Sequence, residues 1–247
     1  MDRKDRTLLG CDQDSRLIYS GRERSLAGSV PRPFHLSFSL MNSQANQEQW
    51  ILDCPELRRF IETVQQTRSS TDSLPELLDR LEPSFEELLA NHAWLPKRFM
   101  RPSENSGMGG SIGMWLLYRS ADGDLAFSSL VVPAGSETPV HDHLTWGLVG
   151  IYRGTQEETV YQAAGSLADG SAPLALSEVL HLVPGDHYRL TPDNDIHKVR
   201  TTSAETSVSL HLLGNDNGCT WRHRYDPDAD SVADFRSGWL NAKCREY

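Results

Sequence analysis

His141 and His143 stand two residues apart in Pro139-Val-His-Asp-His-Leu-Thr-Trp-Gly147, in a run whose apolar flanks read as a β-strand. A strand sends residues i and i+2 to one face, so both imidazoles point one way and Asp142 points the other. Two neutral imidazoles on a rigid strand can hold a divalent transition metal, and a third ligand completes a site. His197, in Asp195-Ile-His-Lys-Val-Arg200, is the downstream candidate. A lone His-x-His pair is more often a surface feature or a hydrogen-bonded core group; the flanking glycines and the downstream histidine tip the balance toward a metal. Donor type alone leaves iron, zinc, nickel and copper open. His187, beside Pro184-Gly-Asp186, is a spare ligand that its turn places less well than His197.

The elements that must position these rings are mainly β. From Met114 onward, short β-type runs alternate with turn residues at intervals of roughly ten, the pattern of a sandwich or barrel. The runs are Met114–Tyr118, Leu125–Val132, the histidine strand leading to Leu148–Tyr152, Gln156–Gln162, Val179–Val183, Ile196–Thr201 and Ser207–Leu213. About eight strands closing on themselves make a jelly roll. Before them come helices. Leu57, Phe60, Ile61 and Val64 fall at i, i+3, i+4 and i+7, with Pro55 in the first turn. Leu74, Leu77, Leu78 and Leu81 repeat that spacing behind an N-cap at Asp72 or Ser73, Pro83 interrupts, and Phe85, Leu88 and Leu89 continue to about Trp94. These stripes pack on the chain's own sheet. Residues 1–44 show neither period and read as a poorly ordered tail, with Met41 an alternative start. The domains expected are that tail, helices over 45–100, and a barrel with a C-terminal extension over 101–247.

A chain of 247 residues carries one sizeable core. Its net charge of −10, from 24 basic and 34 acidic residues, argues against wrapping nucleic acid or an anionic membrane. Four cysteines, Cys11, Cys54, Cys219 and Cys244, are scattered without paired spacing, which suits a reducing compartment better than a disulfide framework. No apolar run approaches a membrane span and no secretory pattern opens the chain, so the expected location is cytoplasmic. The sequence leaves oligomeric state open.

Gly135-x5-His141-x-His143-x3-Gly147-x6-Gly154 resembles the first motif of the cupin superfamily, and Pro184-Gly-Asp186 followed by His197 resembles the second. The match covers about residues 114–213. It implies a double-stranded β-helix in which His141, His143 and His197 converge on one metal. Many cupins carry a glutamate ligand where this chain has Gly147. Its absence is similar to the thiol dioxygenases (cysteine dioxygenase and 3-mercaptopropionate dioxygenase), whose sites use three histidines and iron(II). Ser209-Leu-His211 resembles their Ser-x-His-x-Tyr triad, with Leu213 in the tyrosine position. Animal cysteine dioxygenases crosslink that tyrosine to a cysteine at the Gly147 position; neither partner exists here.

The resemblance implies a non-haem Fe(II) dioxygenase that takes a small thiol carboxylate and O2 to the sulfinate. Three neutral imidazoles leave the cation its full double charge, which favours a bound thiolate. Ser209 and His211 share a strand face, so His211 becomes a proton or hydrogen-bond donor with Ser209 fixing its tautomer; a hydrogen-bonded core histidine is the other reading. The substrate carboxylate calls for an arginine fork, and Arg119 and Arg222 both resemble family positions for it. Trp146, Tyr152 and Tyr161 read as barrel packing, and His35, His92, His181 and His223 as incidental. Two alternatives remain: a cupin metal enzyme with a non-thiol substrate, and a cupin ligand-binding module without catalysis. No DNA-binding helix pair favours a transcriptional sensor.

Overall fold

Amphipathic stripes and alternating strands become two helices against two six-stranded sheets. The computed structural model describes residues 47–164 and 173–245. The tail read over 1–44, Cys11 and most of the Ala163–Ala172 loop lie outside the described residues. The strands in chain order are β1 (Gln49–Trp50), β2 (Gly113–Arg119), β3 (Ala126–Val132), β4 (Val140–His141), β5 (Gly147–Arg153) and β6 (Gln156–Ala163). They continue as β7 (Leu174–Leu182), β8 (His187–Leu190), β9 (Ile196–Thr201), β10 (Ser207–Leu213), β11 (Arg222–Asp226) and β12 (Ser231–Phe235). One sheet runs β1-β2-β3-β10-β5-β8 and the other β12-β11-β4-β9-β6-β7, all pairings antiparallel. The eight strands from β3 to β10 form two four-stranded halves, β3-β10-β5-β8 and β4-β9-β6-β7. That order is the double-stranded β-helix, a jelly roll closed on itself.

The two helices follow their apolar spacing. In α1 (Pro55–Arg68) Leu57, Phe60, Ile61 and Val64 are buried. In α2 (Leu74–Ala90) Ser73 is the N-cap, its side chain accepting from the Glu76 amide, and Leu77, Leu78, Leu81, Phe85, Leu88 and Leu89 are buried. Pro83 does not interrupt α2 as its ring suggested. An internal proline costs roughly 3 kcal/mol, and the buried stripe is continuous on both sides of it, so packing outweighs that cost. The helix stops at Ala90, short of Trp94, whose indole N–H instead donates to the Leu88 carbonyl at 3.0 Å.

Both helices cover the outer face of the first sheet. Leu210 and Leu212 of β10 join Phe60, Phe85 and Leu89 in one buried cluster. Their neighbours Ser209, His211 and Leu213 alternate to the barrel interior. A second buried cluster contains Met108, Ile112, Met114, Leu130, Phe235 and Trp239, of which Met108, Met114 and Leu130 also line the cavity beside His141. Where α2 crosses β5, a Cβ on Gly150 would sit 2.5 Å from Leu89 Cδ1 and 2.9 Å from Phe85 Cε1, so glycine sets how closely helix and sheet approach.

Three further sequence expectations change here. The histidine stretch is not one strand: Val140–His141 belongs to the second sheet and Gly147–Arg153 to the first, and the chain turns between them with Leu144 at φ 56°. Strands β1, β8, β11 and β12 were not expected; they are polar or short, with little alternation to reveal them. Cys219 and Cys244 form a disulfide, their Cα atoms 5.2 Å apart across 25 residues of sequence. Spacing along the chain carries no information about that proximity, and the bond removes the cysteine argument for a reducing compartment. Among the described residues, no helix is long and apolar enough to cross a membrane.

Replacing Gly150 by Val should lower stability by about 1–3 kcal/mol through overpacking against Phe85 and Leu89. Urea unfolding measures it, and an unchanged midpoint would show that α2 does not sit against β5 as described.

Candidate metal centre

Three buried imidazoles meet inside the barrel. His141, His143 and His197 are 1–3% exposed, each pair of ring centroids is 4.9 Å apart, and one ring nitrogen from each lies within 4.8 Å of the others. Strand pairing places two of them: His141 on β4 is directly opposite His197 on β9. His143 arrives from the turn beyond β4. The Asp195 carboxylate accepts the backbone amides of His143 at 2.8 Å and Leu144 at 2.9 Å, holding that turn in its left-handed conformation.

The orientation of each ring follows from what backs its Nδ1. His141 Nδ1 is 2.9 Å from the Pro139 carbonyl and His143 Nδ1 is 3.1 Å from Asp195 Oδ1. His197 Nδ1 is 2.8 Å from Glu158 Oε2, off the ring N–H axis, with the Tyr188 hydroxyl at 3.4 Å. With Nδ1 protonated toward an acceptor, the lone pair stays on Nε2. His197 Nε2 is buried without a hydrogen-bond partner, which fits a ligand atom better than a satisfied core group. Burial, with the neighbouring imidazoles and Arg222 adding to it, holds the pKa of His141 and His143 well below 6.5, so both are neutral ligands near pH 7.

Among the described residues, no acidic side chain is a member of this three-histidine group. At Gly147 a Cβ would meet Leu212 O at 2.5 Å and Leu213 Cδ2 at 2.6 Å, so packing bars any side chain there, a carboxylate included. The donor set therefore fits a divalent transition metal held by three uncharged nitrogens.

The cavity beside the rings is small, about 10 Å³, with room for roughly one water. His141, His143, His211, Arg222, Met108 and Leu213 are among its lining residues. Ligand entry has to displace a side chain, and the methionines Met108 and Met114 are the pliable ones. His211 Nε2 is 2.8 Å from Ser209 Oγ. Burial pushes the His211 pKa to about 3, so at neutral pH it is an uncharged imidazole that gives or takes a hydrogen bond. Arg222 is 2% exposed, donates through Nη1 to the Asp142 carbonyl at 2.8 Å and through Nη2 to Ser237 Oγ at 3.1 Å, and stacks 4.6 Å over Phe235. Its Nε is buried without a partner. Burial lowers its pKa to about 10, which leaves it charged at neutral pH.

The two arginines separate. Arg222 lines the cavity, whereas Arg119 is not brought to the cluster. Its guanidinium is taken up by Asp216, Gln49 and the Lys243 carbonyl, each at 2.9 Å. It steadies a turn whose next residue, Asn217, donates to the His143 carbonyl at 3.2 Å. His187 also sits elsewhere, near Glu82 and Glu86 on α2.

Sequence reasoning missed Asp195, Glu158 and the role of His223. Asp142 points away from the cluster and is clasped by the His223 amide at 2.7 Å, His223 Nδ1 at 2.6 Å and Tyr225 OH at 3.0 Å. Asp195, two residues before His197 and just ahead of β9, had a legible position. Nothing marked Glu158, because Gln156-Glu157-Glu158 gives no hint of which carboxylate turns inward.

No known family's sequence profile matches the chain. Among solved structures, the chain is similar to oxalate oxidase with a bound substrate analogue, glycolate (12% identity over 51% of this chain and 61% of that one, TM-score 0.37). It is also similar to the Schizosaccharomyces pombe Cnp3 cupin domain (15%, 42% and 65%, TM-score 0.33) and to a conserved double-stranded β-helix protein from Klebsiella pneumoniae (17%, 49% and 82%, TM-score 0.35). The chain thus spans less than two thirds of the oxalate oxidase and Cnp3 chains. These likenesses concern the fold, which the strand order of this chain establishes by itself.

In the metal-free protein the folded pKa values of His141, His143 and His211 lie below the 6.5 of the unfolded chain. Stability is therefore full above that value and falls as pH drops below it, by up to about 1.4 kcal/mol per histidine per pH unit. Urea midpoints of metal-free protein at about pH 7.5 and about pH 5.5 should differ in that direction; equal midpoints would show that these rings are not buried neutral.

Proposed function

We propose that the protein is a non-haem iron(II) dioxygenase that converts a small thiol carboxylate and O2 to the corresponding sulfinate. The observation that carries this reading is the ligand set: three neutral imidazoles, with the Gly147 position sealed against a carboxylate. Iron(II) held by such a set would keep its full double charge, which would favour the thiolate form of a thiol and would offer O2 a place beside it, the four electrons that reduce O2 coming from the sulfur. The net change is RSH + O2 → RSO2H, with both oxygen atoms gained by sulfur. Iron rather than zinc, nickel or copper, and a thiol rather than another substrate, rest on the resemblance of Ser209, His211 and the glutamate-free motif to the thiol dioxygenases.

The protein's own groups have the following parts. Arg222 presents a charged guanidinium to the cavity, and its unpartnered Nε gives a substrate carboxylate a donor that the fold does not otherwise use. Burial of that ion strengthens the attraction for an anion, because little water screens it. His211 holds one proton between ring and cavity, its tautomer set by Ser209. Leu213 donates nothing, so the hydrogen-bonding face opposite the histidines ends at His211. Met108, Leu130 and Leu213 keep water out of the same space.

Iron-loaded protein should consume O2 with one or more of 3-mercaptopropionate, cysteine and related mercapto acids, and form a product heavier by two oxygen atoms. An oxygen electrode with mass analysis of the product tests this, and no uptake with any thiol would refute it. Uptake only with non-thiol substrates would point to a different metal enzyme of the same fold. His141→Ala should abolish both iron binding and uptake. Arg222→Lys, which keeps the charge but loses the fork, should raise KM about tenfold or more with a smaller change in kcat; an unchanged KM would remove Arg222 from substrate binding.

A further inference from the structure

We infer that Glu158, with Tyr188 beside it, is a positioning residue that fixes the His197 ring and supplies from behind it the negative charge that lets three neutral histidines hold a divalent cation tightly. The inference rests on the metal centre and not on the thiol chemistry.

Glu158 is 1% exposed, and among the described residues the neighbouring Tyr188 phenol is the one hydroxyl that shares its carboxylate. Among the described residues, no hydrogen bond or ion pair joins it to a lysine or arginine. A buried carboxylate without a compensating partner is strongly disfavoured, so its charge calls for a cation nearby. Among the described residues, the one ionisable base in ion-pair range is His197, whose Nδ1 is 2.8 Å away. A carboxylate oxygen that close would repel a deprotonated, partly negative Nδ1, so Nδ1 carries the proton and Nε2 is left as the donor atom. His197 Nε2 is itself buried and unpartnered. A cation on Nε2 satisfies both orphaned groups at once.

The other two ligands differ in this respect. His141 is backed by a neutral carbonyl. His143 is backed by Asp195, whose charge is already dispersed over two backbone amides. Glu158 has only the neutral Tyr188 phenol, and no backbone amide among the described residues, to disperse its charge. The phenol of Tyr188 is held protonated by burial and by the neighbouring Glu158 charge, and it donates to Glu158 rather than to His197 Nδ1, which already carries a proton. A carboxylate behind a metal-bound histidine raises the basicity of that ligand, and losing it typically weakens metal binding about 10- to 100-fold.

The test measures dissociation constants for iron(II), without oxygen, and for zinc(II) by competition with a chromophoric chelator. Thermal midpoints of the metal-free proteins are measured alongside. Glu158→Gln keeps the shape and loses the charge: it should bind both ions about 10- to 100-fold more weakly, with a metal-free midpoint no lower than that of the natural protein. Glu158→Asp, which keeps the charge, should bind more tightly than Glu158→Gln. Equal affinity of the natural and Gln proteins would overturn the inference while leaving the metal centre intact. A Gln variant whose metal-free midpoint falls would also overturn it, since Glu158 would then be a structural support only. Failure of the natural protein to bind either ion would overturn the inference and the metal centre together.

Discussion

Three imidazoles can share one point in space only if each ring is held from behind. Here a carbonyl, an aspartate and a glutamate stand at the Nδ1 atoms of His141, His143 and His197, and the Nε2 atoms are left to converge. Imidazole rings turn freely about their side-chain bonds, so shared strand faces alone would bring the rings near one another without aiming them. The backing groups remove that freedom before any cation arrives, and such preorganisation is what makes a site out of a cluster.

The barrel exists, in this view, to deliver those backing groups along with the rings. Opposition of β4 and β9 brings His141 to His197, and the turn that carries the chain from one sheet to the other swings His143 beside them. Asp195 supports that turn and the His143 ring together. On the far side of the same strand, His223 and Tyr225 hold the Asp142 side chain while Arg222 holds its carbonyl. The strand of ligands and the strand that offers the buried cation are thus fastened to one another. A change at either is felt at both, because the buried guanidinium and two of the clustered histidines line one cavity.

The legibility of all this in the sequence was uneven, for physical reasons. The ligands were visible because alternation along a strand and turn spacing are local. The helices were visible because their apolar periods are long, and Pro83 misled because propensity is local while burial is not. The sheet change within the histidine stretch was hidden, since a single non-glycine residue in the left-handed region, Leu144, makes it. Glu158 and the Cys219–Cys244 bond depend on partners far away in the chain, and no spacing rule reaches that far. Arg119 and Arg222 were indistinguishable as sequence; only the fold shows that Asp216 and Gln49 occupy the first while the second keeps a donor free.

The most direct test is iron K-edge X-ray absorption of the protein loaded with iron(II) and no substrate. Three imidazole scatterers with the remaining positions filled by water oxygen are expected, and the carboxylate should be missing from the coordination sphere. Fewer than three imidazoles, or a protein carboxylate among the ligands, would contradict the arrangement on which the whole account stands.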